Sequence, residues 1–470
     1  MRIRGWQPVQ YKKYDKKMDF DGINTFNTPL EIGENQATDL RNVWSGKYPA
    51  LKVRNGKTQI GSALTKCNGV GQRNNEYLHI VDNTTWKYWT GTTYTNVATG
   101  LTDATASFEE FSTGTTRYII MSNGTERKAW DGSSVTDLTN APNSKIFTTH
   151  KGRVYWARDN DIVYSDLNLI NTYSGVGAGS LDVTRAKGAI SSLYEYADRV
   201  WVWTESGMHG LYGTGPSNYE LIDIEGDIGC ISDRSVIVAN KKLYWMAYDG
   251  VYEFDGSTPI KVSEPFGANG VFGGVTAFIT GIKKSLRSGI VGGSIGDYLY
   301  MSIPYGASAT GNNLTLGFDT KLRRWYVRDE GFIEFETVSN VLYGVDSSNK
   351  LWDMTTTATA DGATAISWYY ISKAFSEGSP SSQVTISELW LAFDLPVGST
   401  LSVAYSSSVD NADFVDLYTF TASANEQSSR VIIPLSALQN VNWHRLKFYG
   451  TGDCTIHYYE KKGRIKQHSR

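Results

Sequence analysis

The sequence predicts an all-β protein: a β-propeller of about seven blades followed by a C-terminal antiparallel β-sandwich that is jelly-roll-like. Three observations support this prediction. The composition favours strands and tight turns, aromatic-rich strand pairs recur through the middle of the chain, and short strand-like runs follow one another at regular spacing near the C-terminus.

The composition favours strands over long helices. The 470 residues include 14 Trp, 29 Tyr and 46 Gly, and 40% of the chain is apolar. Aromatic side chains suit a pleated, half-buried surface, and glycine supplies tight turns. A chain of this length holds about three average domains, or one large β unit with a smaller partner. The second arrangement agrees with the repeat described next.

Aromatic-rich hairpins recur between residues 66 and 356. Examples are "EYLHIVDNTTWKYWTG", "DRVWVWTESGMHGLYG" and "KKLYWMAYDGVYEFDG", each with a polar or glycine turn. The closing aromatics of successive pairs lie about 44 residues apart on average, which is the length of a four-stranded propeller blade. Seven repeats predict seven blades, and six is the alternative because the interval before Phe318 is long. The closing aromatics are Trp89, Trp130, Tyr164, Tyr212, Phe254, Phe318 and Trp352.

The long interval before Phe318 contains the best helix candidate of the chain. In "GGVTAFITGIKKSLRSG", apolar residues from Val275 to Leu286 fall at helical spacing, and glycines flank the run. We expect a short helical insertion near residues 274–287. It would pack on its own blades, and a contact with a neighbouring subunit is the alternative.

The composition changes abruptly after Trp352. "DMTTTATADGATAIS" has the character of a linker, and short strands such as "SELWLAFDL" and "WHRLKFYG" follow it at a spacing of about 8 to 12 residues, typical of an antiparallel sandwich. The predicted divisions are an N-terminal basic arm with lead-in strands that start the propeller (1–65), the propeller (66–356), the linker (357–365), the sandwich (366–460) and a basic tail (461–470).

Charge is unevenly distributed along the chain. The net charge of −3 comprises +5 on residues 1–18, +5 on residues 461–470 and −13 on the residues between them. The basic segments are solvated tails in one interpretation, and they dock on acidic neighbours or nucleic acid in the other. Lys52 and Arg54 occupy alternating strand positions, and we expect them to face a neighbouring subunit. The candidate partner contacts are Arg2, Arg4, Lys12, Lys13, Lys16, Lys17, Lys52, Arg54, Lys461, Lys462, Arg464 and Lys466.

The three cysteines, Cys67, Cys230 and Cys454, are too widely spaced for a paired framework or a C-x-x-C metal site. We expect buried, reduced thiols and synthesis in a reducing host cytoplasm. No apolar run approaches the length of about 18 residues that a membrane-spanning helix needs, so no membrane span is expected. No metal or cofactor site is predicted.

Two patterns resemble catalytic sites without completing one. "GGSIG" around Ser294 matches G-x-S-x-G, but a nucleophile elbow needs a following helix, and here a strand follows; we expect a turn between blades. Paired carboxylates of the kind that glycosidases use remain candidates, without any accompanying glycosidase-type motif. These pairs are Glu225 with Asp227 and Asp297 with Asp319. The sequence predicts a protein that is not an enzyme, with a propeller glycoside hydrolase as a remote alternative.

Four segments carry a family resemblance: "NVWSGKYPALKVRNG", "GRVYWARDNDIVYSDLNLINTY", "SELWLAFDL" and "HRLKFYGTGDCTIHYYE". With the predicted architecture, they resemble the tail hub proteins of short-tailed, podovirus-type bacteriophages, also called DNA-stabilisation, head-completion or nozzle proteins. The resemblance covers nearly the whole chain, and its motifs are moderately specific. Asn55 stands where such proteins often have proline. The residues that carry it are Asn42, Gly46, Arg54, Gly56, Gly152, Arg153, Tyr155, Ser165 and Tyr173.

This resemblance implies a structural protein of the virion tail. In the family about six copies form a ring below the portal and its adaptor, extend the DNA channel, retain packaged DNA and carry tail fibre, spike or needle proteins. Double-stranded DNA passes without sequence-specific binding, and a channel lined by acidic or neutral groups suits this passage because it does not trap a polyanion. A receptor- or glycan-binding tail protein is the alternative function.

Overall fold

Seven four-stranded antiparallel sheets, each the blade of a propeller, dominate the computed structural model. The structure describes residues 11–13, 19–183, 188–224, 226–265, 269–376, 383–410, 413–434 and 438–466. The predicted propeller is confirmed. Blades one to four comprise β6 Cys67–Arg73, β7 Tyr77–Asp82, β8 Thr85–Trp89 and β9 Tyr94–Thr99; β10 Ser107–Ser112, β11 Arg117–Ser122, β12 Arg127–Trp130 and β13 Val135–Asp137; β14 Phe147–His150, β15 Arg153–Arg158, β16 Asp161–Tyr164 and β17 Gly179–Asp182; β18 Ile190–Tyr196, β19 Arg199–Thr204, β20 Gly207–Tyr212 and β21 Glu220–Asp223.

The other three blades follow the same pattern, and a short N-terminal strand completes the last one. They comprise β22 Ile237–Ala239, β23 Lys242–Ala247, β24 Gly250–Phe254 and β25 Ile260–Lys261; β26 Val291–Ile295, β27 Tyr298–Ile303, β28 Leu314–Asp319 and β29 Arg324–Arg328; β30 Phe332–Val338, β31 Val341–Asp346, β32 Leu351–Asp353 and β5 Thr58–Gln59. Since β5 pairs with β32, the outer strand of the seventh blade comes from the other end of the chain and closes the ring.

The aromatic repeat predicted the blades because each closing aromatic lies on the third strand of its blade. Alternation along the strands distributes the large side chains between neighbouring blades. In β19, Val200 and Val202 pack toward blade three, whereas Trp201 and Trp203 pack toward blade five. The apolar cores of the propeller therefore lie between blades.

Two further sheets form the sandwich, and they share one apolar core. Successive strands mostly cross from one sheet to the other, as in a jelly roll. Two hairpins each stay within one sheet: Val43–Trp44 with Leu51–Val53, and Thr400–Ser406 with Val415–Thr421. The first sheet has the order β2 Ala37–Arg41, β35 Ser367–Ser372, β40 Arg445–Thr451, β37 Thr400–Ser406 and β38 Val415–Thr421. The second has β3 Val43–Trp44, β4 Leu51–Val53, β41 Thr455–Lys466, β36 Gln383–Leu395 and β39 Glu426–Pro434, with β1 Tyr11–Lys13 also paired to β41.

The structure corrects three of the predicted divisions. The lead-in strands β2, β3 and β4 join the sandwich rather than the propeller, because their backbone partners are β35 and β41. The segment 461–466 continues β41 and is not a tail. The predicted linker contains a hairpin of β33 Ala360–Asp361 and β34 Thr364–Ala365. Sequence order therefore does not separate the two domains.

The helical insertion is present but shorter than its spacing predicts. The helix α1 spans Thr276–Thr280 and ends at Gly281, and two 3-10 helices lie at Asp233–Ser235 and Lys284–Gly289. Phe278 and Ile279 are buried against the large core, which agrees with packing on the chain's own domains. In the part of the chain that the structure describes, no helix has the length and apolar character needed to cross a membrane.

The propeller and the sandwich share one continuous apolar core. This core joins Leu299 and Trp325 of blade six with Leu40 and Val43 of the N-terminal strands and Phe448 of the sandwich. Backbone hydrogen bonds cross the same junction, for example from Ile23 N to Trp325 O at 3.0 Å. Burying apolar surface between the domains favours a single rigid body.

Candidate functional site

The first strands of the seven blades enclose a cavity of about 490 Å³ on the propeller axis, which we call the axial channel. All seven blades contribute lining residues, because the first strand of every blade lies innermost. This volume is typical of a small-molecule site. It is too small to hold a DNA duplex, so any passage for DNA would have to lie outside this chain's own axis.

Carboxylates dominate the charged lining of the axial channel. Glu109 and Glu110 come from β10, Glu195 from β18, and Glu334 and Glu336 from β30. Because side chains alternate along a strand, Glu334 and Glu336 point to the same side of β30. Blades two, four and seven thereby direct acidic groups at one space.

Burial and nearby negative charges raise the pKa of four of these carboxylates, Glu109, Glu195, Glu334 and Glu336. Burial is the larger cause for Glu109 and, with repulsion from Glu336, Glu110 and Glu195, raises its pKa to about 8. Burial also raises the pKa of Glu336 to about 7, although the backbone N–H of Thr337 donates to its carboxylate and opposes the shift. Within the described residues, the Glu109 carboxylate has no hydrogen bond or ion pair.

Two cations partly balance this charge. Arg234, on the 3-10 helix Asp233–Ser235, forms an ion pair with Glu334, which raises the pKa of the guanidinium. Lys145 also lines the channel. With Asp233, the lining contains six acidic side chains and two basic ones, so the channel has a net formal charge of −4.

The chemistry of this lining suits binding of a cation better than nucleophilic catalysis. No Cys or His is among the described residues that line the channel. Ser294 is not an exposed nucleophile: it lies in β26, and its Oγ donates to Val238 O at 2.7 Å. Gly292 and Gly293 also lie in β26, so the predicted turn at these glycines is corrected, and only Gly296 has the positive φ of a turn.

Arg54 belongs to a buried ionic cluster where the N-terminal segment meets blades six and seven. We call Arg54, Lys57, Arg328, Glu330 and Asp361 the junction cluster. Arg54 donates to both Asp361 oxygens at 2.9 and 2.7 Å, and its terminal nitrogen lies 3.3 Å from Glu330 Oε1. Burial alone would raise the pKa of Glu330, but Arg328, Arg54 and Lys57 lower it to about 2.

The expected display of Arg54 toward a neighbouring subunit is therefore corrected, because its guanidinium is buried. Arg54 is only 5% exposed, and its side chain donates to Asn42 and Asp361. Lys52 forms an ion pair with Asp453 at 2.8 Å, beside β41. Sequence reasoning missed these acidic partners because they follow the basic residues by roughly 280 to 400 positions.

The two basic ends of the chain lie side by side. β1 pairs antiparallel with β41, so that Tyr11 is opposite Arg464 and Lys13 is opposite Lys462. We call β1 and the segment 461–466 of β41 the basic ribbon. Charge segregation in the sequence pointed to both segments, but the pairing that unites them depends on the fold.

The other candidate contact residues separate into distinct environments. Lys461 is buried, with Nζ 3.2 Å from His444 Nε2 and 3.5 Å from the centre of the Phe375 ring. Lys462 is half exposed and pairs with Glu388 at 3.1 Å. Lys12 lies in β1, Arg464 is exposed and Lys466 ends β41. Outside the described residues are Arg2, Arg4, Lys16 and Lys17.

The resemblance residues of blade three hold a loop against the blade. Arg153 is 7% exposed and donates to the carbonyls of Ser165 and Gly177. The Tyr173 hydroxyl accepts from Trp156 Nε1 at 2.7 Å. These contacts explain the residue pattern by packing, without a binding site.

Of the carboxylates considered for glycoside hydrolysis, Asp227, Asp297 and Asp319 do not line the axial channel. Asp319 is 3% exposed and accepts from Ser45 Oγ at 2.6 Å and from the Leu322 backbone N–H at 2.8 Å. Its hydrogen bonds give it a structural role. Glu225 lies outside the described residues.

Neither a protein-family model nor a curated protein sequence matches the chain. Similar solved structures are propeller proteins. They include a streptogramin B lyase structure (8% identity, TM-score 0.43, 63% of this chain and 95% of that chain), a virginiamycin B lyase from Staphylococcus aureus (9%, 0.44, 64% and 98%) and BamB from Moraxella catarrhalis (10%, 0.37, 63% and 97%). Structural similarity at such low sequence identity shows a shared fold and does not indicate a shared function.

Proposed function

We propose that this chain is a structural subunit of a bacteriophage tail, forming a ring below the portal and its adaptor that extends the DNA channel, retains DNA and carries distal tail proteins. It acts by assembly rather than by catalysis. The proposal starts from the sequence resemblance to tail hub proteins, and one structural observation, the basic ribbon, supports it most directly.

The basic ribbon places basic residues from both ends of the chain side by side in one sheet. β1 and β41 bring together basic residues that are about 450 positions apart, on a protein whose remaining residues carry net negative charge. Such a segregated patch accelerates and orients docking on an acidic partner. An acidic face of the portal complex, or of the adjacent copy, is the partner this surface fits.

The junction between the domains supports a mechanical role. A shared apolar core and the buried junction cluster connect the propeller to the sandwich, so that force applied to one domain passes to the other. The acidic body suits a ring lumen that lets DNA slide, because its net negative charge does not attract phosphates. DNA would pass between copies, outside the axial channel.

The decisive experiment is co-expression of the chain with the portal and adaptor proteins of the same phage. We expect native mass spectrometry and electron microscopy to show a ring of several copies on the portal complex. A chain that remains monomeric and never joins the portal complex would contradict the proposal.

A charge-reversal pair tests the basic ribbon. We expect Lys462→Glu with Arg464→Glu to weaken attachment to the portal complex, since both residues belong to the ribbon. The matched control is Lys66→Glu with Lys151→Glu, two exposed lysines on blades one and three. Equal attachment of both double variants would remove the ribbon from the proposal, and deletion of residues 1–18 provides an independent check.

A further inference from the structure

We propose that the axial channel binds a small linear aliphatic polyamine, with its ammonium groups at the channel carboxylates and its methylene chain along the apolar side chains between them. The proposal does not depend on a role in a phage tail. It rests on the axial cavity, on the net charge of its lining, and on polar side chains that make no hydrogen bond to other described residues.

The cavity has the size and the charge for such a ligand. Its volume of about 490 Å³ is within the range of about 300 to 1,000 Å³ for small-molecule sites. Its lining has a net formal charge of −4, and the Glu109 carboxylate has no hydrogen bond or ion pair among the described residues. Charges of one sign in a cleft with apolar walls concentrate ligands of the opposite sign.

Two buried hydroxyls also lack partners in the cavity wall. Thr148 and Ser192 are each only 1% exposed, and both line the channel. Neither side-chain hydroxyl has a hydrogen bond to another described residue. Both residues line the channel together with Glu109, so their hydroxyls are available to a hydrogen-bonding ligand that enters it. An ammonium group, with several N–H donors, is such a hydrogen-bonding group.

The distribution of the acidic groups distinguishes a polyamine from a metal ion. Within the described ranges, no group of three or more His, Cys, Asp or Glu side chains is close enough to hold one metal ion. The carboxylates nevertheless repel one another across the channel, from β10 to β30. A ligand with separated positive charges relieves this repulsion at several points, which a single ion cannot do.

Polar atoms make up most of the channel lining, but apolar side chains lie between the carboxylates. Phe108 from β10, Leu193 from β18 and Phe335 from β30 lie beside the glutamates in the lining. Methylene groups that pack against these side chains are removed from water, which favours binding. The alternation of charged and apolar residues therefore matches an alternation of ammonium groups and short alkyl segments.

The test is calorimetric titration of spermidine and putrescine into the full-length protein at pH 8. We expect saturable binding with one ligand per chain, tighter for spermidine than for putrescine. Butylamine, and magnesium chloride at matched ionic strength, should bind at least about tenfold more weakly, because neither offers separated charges. The absence of saturable polyamine binding, or equal binding of magnesium, would overturn the proposal.

Three variants establish the site. The double variant Glu109→Gln with Glu336→Gln should weaken spermidine binding by at least about tenfold. The control double variant, Glu205→Gln with Glu220→Gln, changes two exposed carboxylates outside the channel and should leave binding unchanged. Thr148→Val keeps the charge and should weaken binding about threefold to tenfold through one lost hydrogen bond. Circular dichroism confirms folding, and equal affinities for the channel and control double variants would refute the site.

Discussion

At the scale of single residues, the role of the Arg54 charge depends on where the fold places it. In the sequence it is one of several basic residues near a turn, whereas in the structure it is 5% exposed and holds Asp361 with two hydrogen bonds. A buried charge is tolerated only with such partners, because taking an ion out of water is costly. Arg54 therefore connects the N-terminal segment to the linker hairpin and the propeller.

Removing this guanidinium should destabilise the whole protein. We expect Arg54→Ala to lower the free energy of unfolding by about 3 to 5 kcal/mol, since it leaves Glu330 and Asp361 short of a partner. Urea denaturation followed by tryptophan fluorescence measures the change. The control Lys66→Ala removes an exposed ion pair with Asp103 and should cost less than about 1 kcal/mol; equal losses would contradict the buried role.

The channel glutamates predict a pH dependence of stability. The pKa of Glu109 rises from 4.5 to about 8 on folding, and that of Glu336 rises to about 7. The folded state therefore binds more protons, and this stability is fully present below about pH 4.5 and is lost as pH rises toward 8. We expect the melting temperature to fall between pH 5 and pH 9, and the Glu109→Gln, Glu336→Gln variant to show a smaller fall.

At the scale of elements, the two-residue strand β5 completes the seventh blade and so closes the propeller ring. Its two residues pair with β32 and supply the outer strand of the seventh blade, as Gln59 lies opposite Trp352. Just before it, the Gly56 N–H donates to Ala358 O at 2.7 Å, and the segment passes very close to the hairpin backbone. Only a residue without a side chain fits this crossing.

Gly56→Ala tests the close approach. An added Cβ would overlap the carbonyl group of Ala360, a backbone atom that cannot rotate away. We expect a loss of about 1 to 3 kcal/mol, and more if the strand shifts. Gly215→Ala is the control, because a Cβ there meets no atom within 4 Å. Thermal melts of both variants check the prediction, and a Gly56→Ala melting temperature at or above the wild-type value would contradict it.

At the scale of the whole molecule, the two domains depend on one another. The N-terminal strands complete the sandwich and then blade seven, and the large core continues from blade six into both sheets of the sandwich. Neither domain keeps its full set of strands when the chain is cut at residue 66. Folding of the propeller is thus coupled to folding of the sandwich.

This coupling predicts one main unfolding transition. We expect differential scanning calorimetry to show a single peak whose calorimetric and van't Hoff enthalpies agree, as for a cooperative unit. Arg54→Ala should lower that peak as a whole, since the junction cluster joins the two parts. Two resolved peaks in the wild-type protein would show that the domains unfold independently.

Much of the fold could be predicted from the sequence because propeller blades are local. Each hairpin pairs strands that are neighbours in the chain, so the aromatics at Trp130 or Phe254 mark their own blade. The lead-in strands and the basic ribbon could not be placed, since their partners are several hundred residues away. The axial channel was also missed: Glu109 and Glu336 come from separate blades and share no local motif.

The sequence by itself determined the all-β class, the repeating hairpins and the uneven distribution of charge, because strand pattern and composition act over short distances. The tertiary structure alone decided that β5 closes the ring, that the two basic ends pair, that Arg54 is buried and that glutamates from several blades face one cavity. Each of these depends on contacts between distant segments, which form only when the chain encloses a common core.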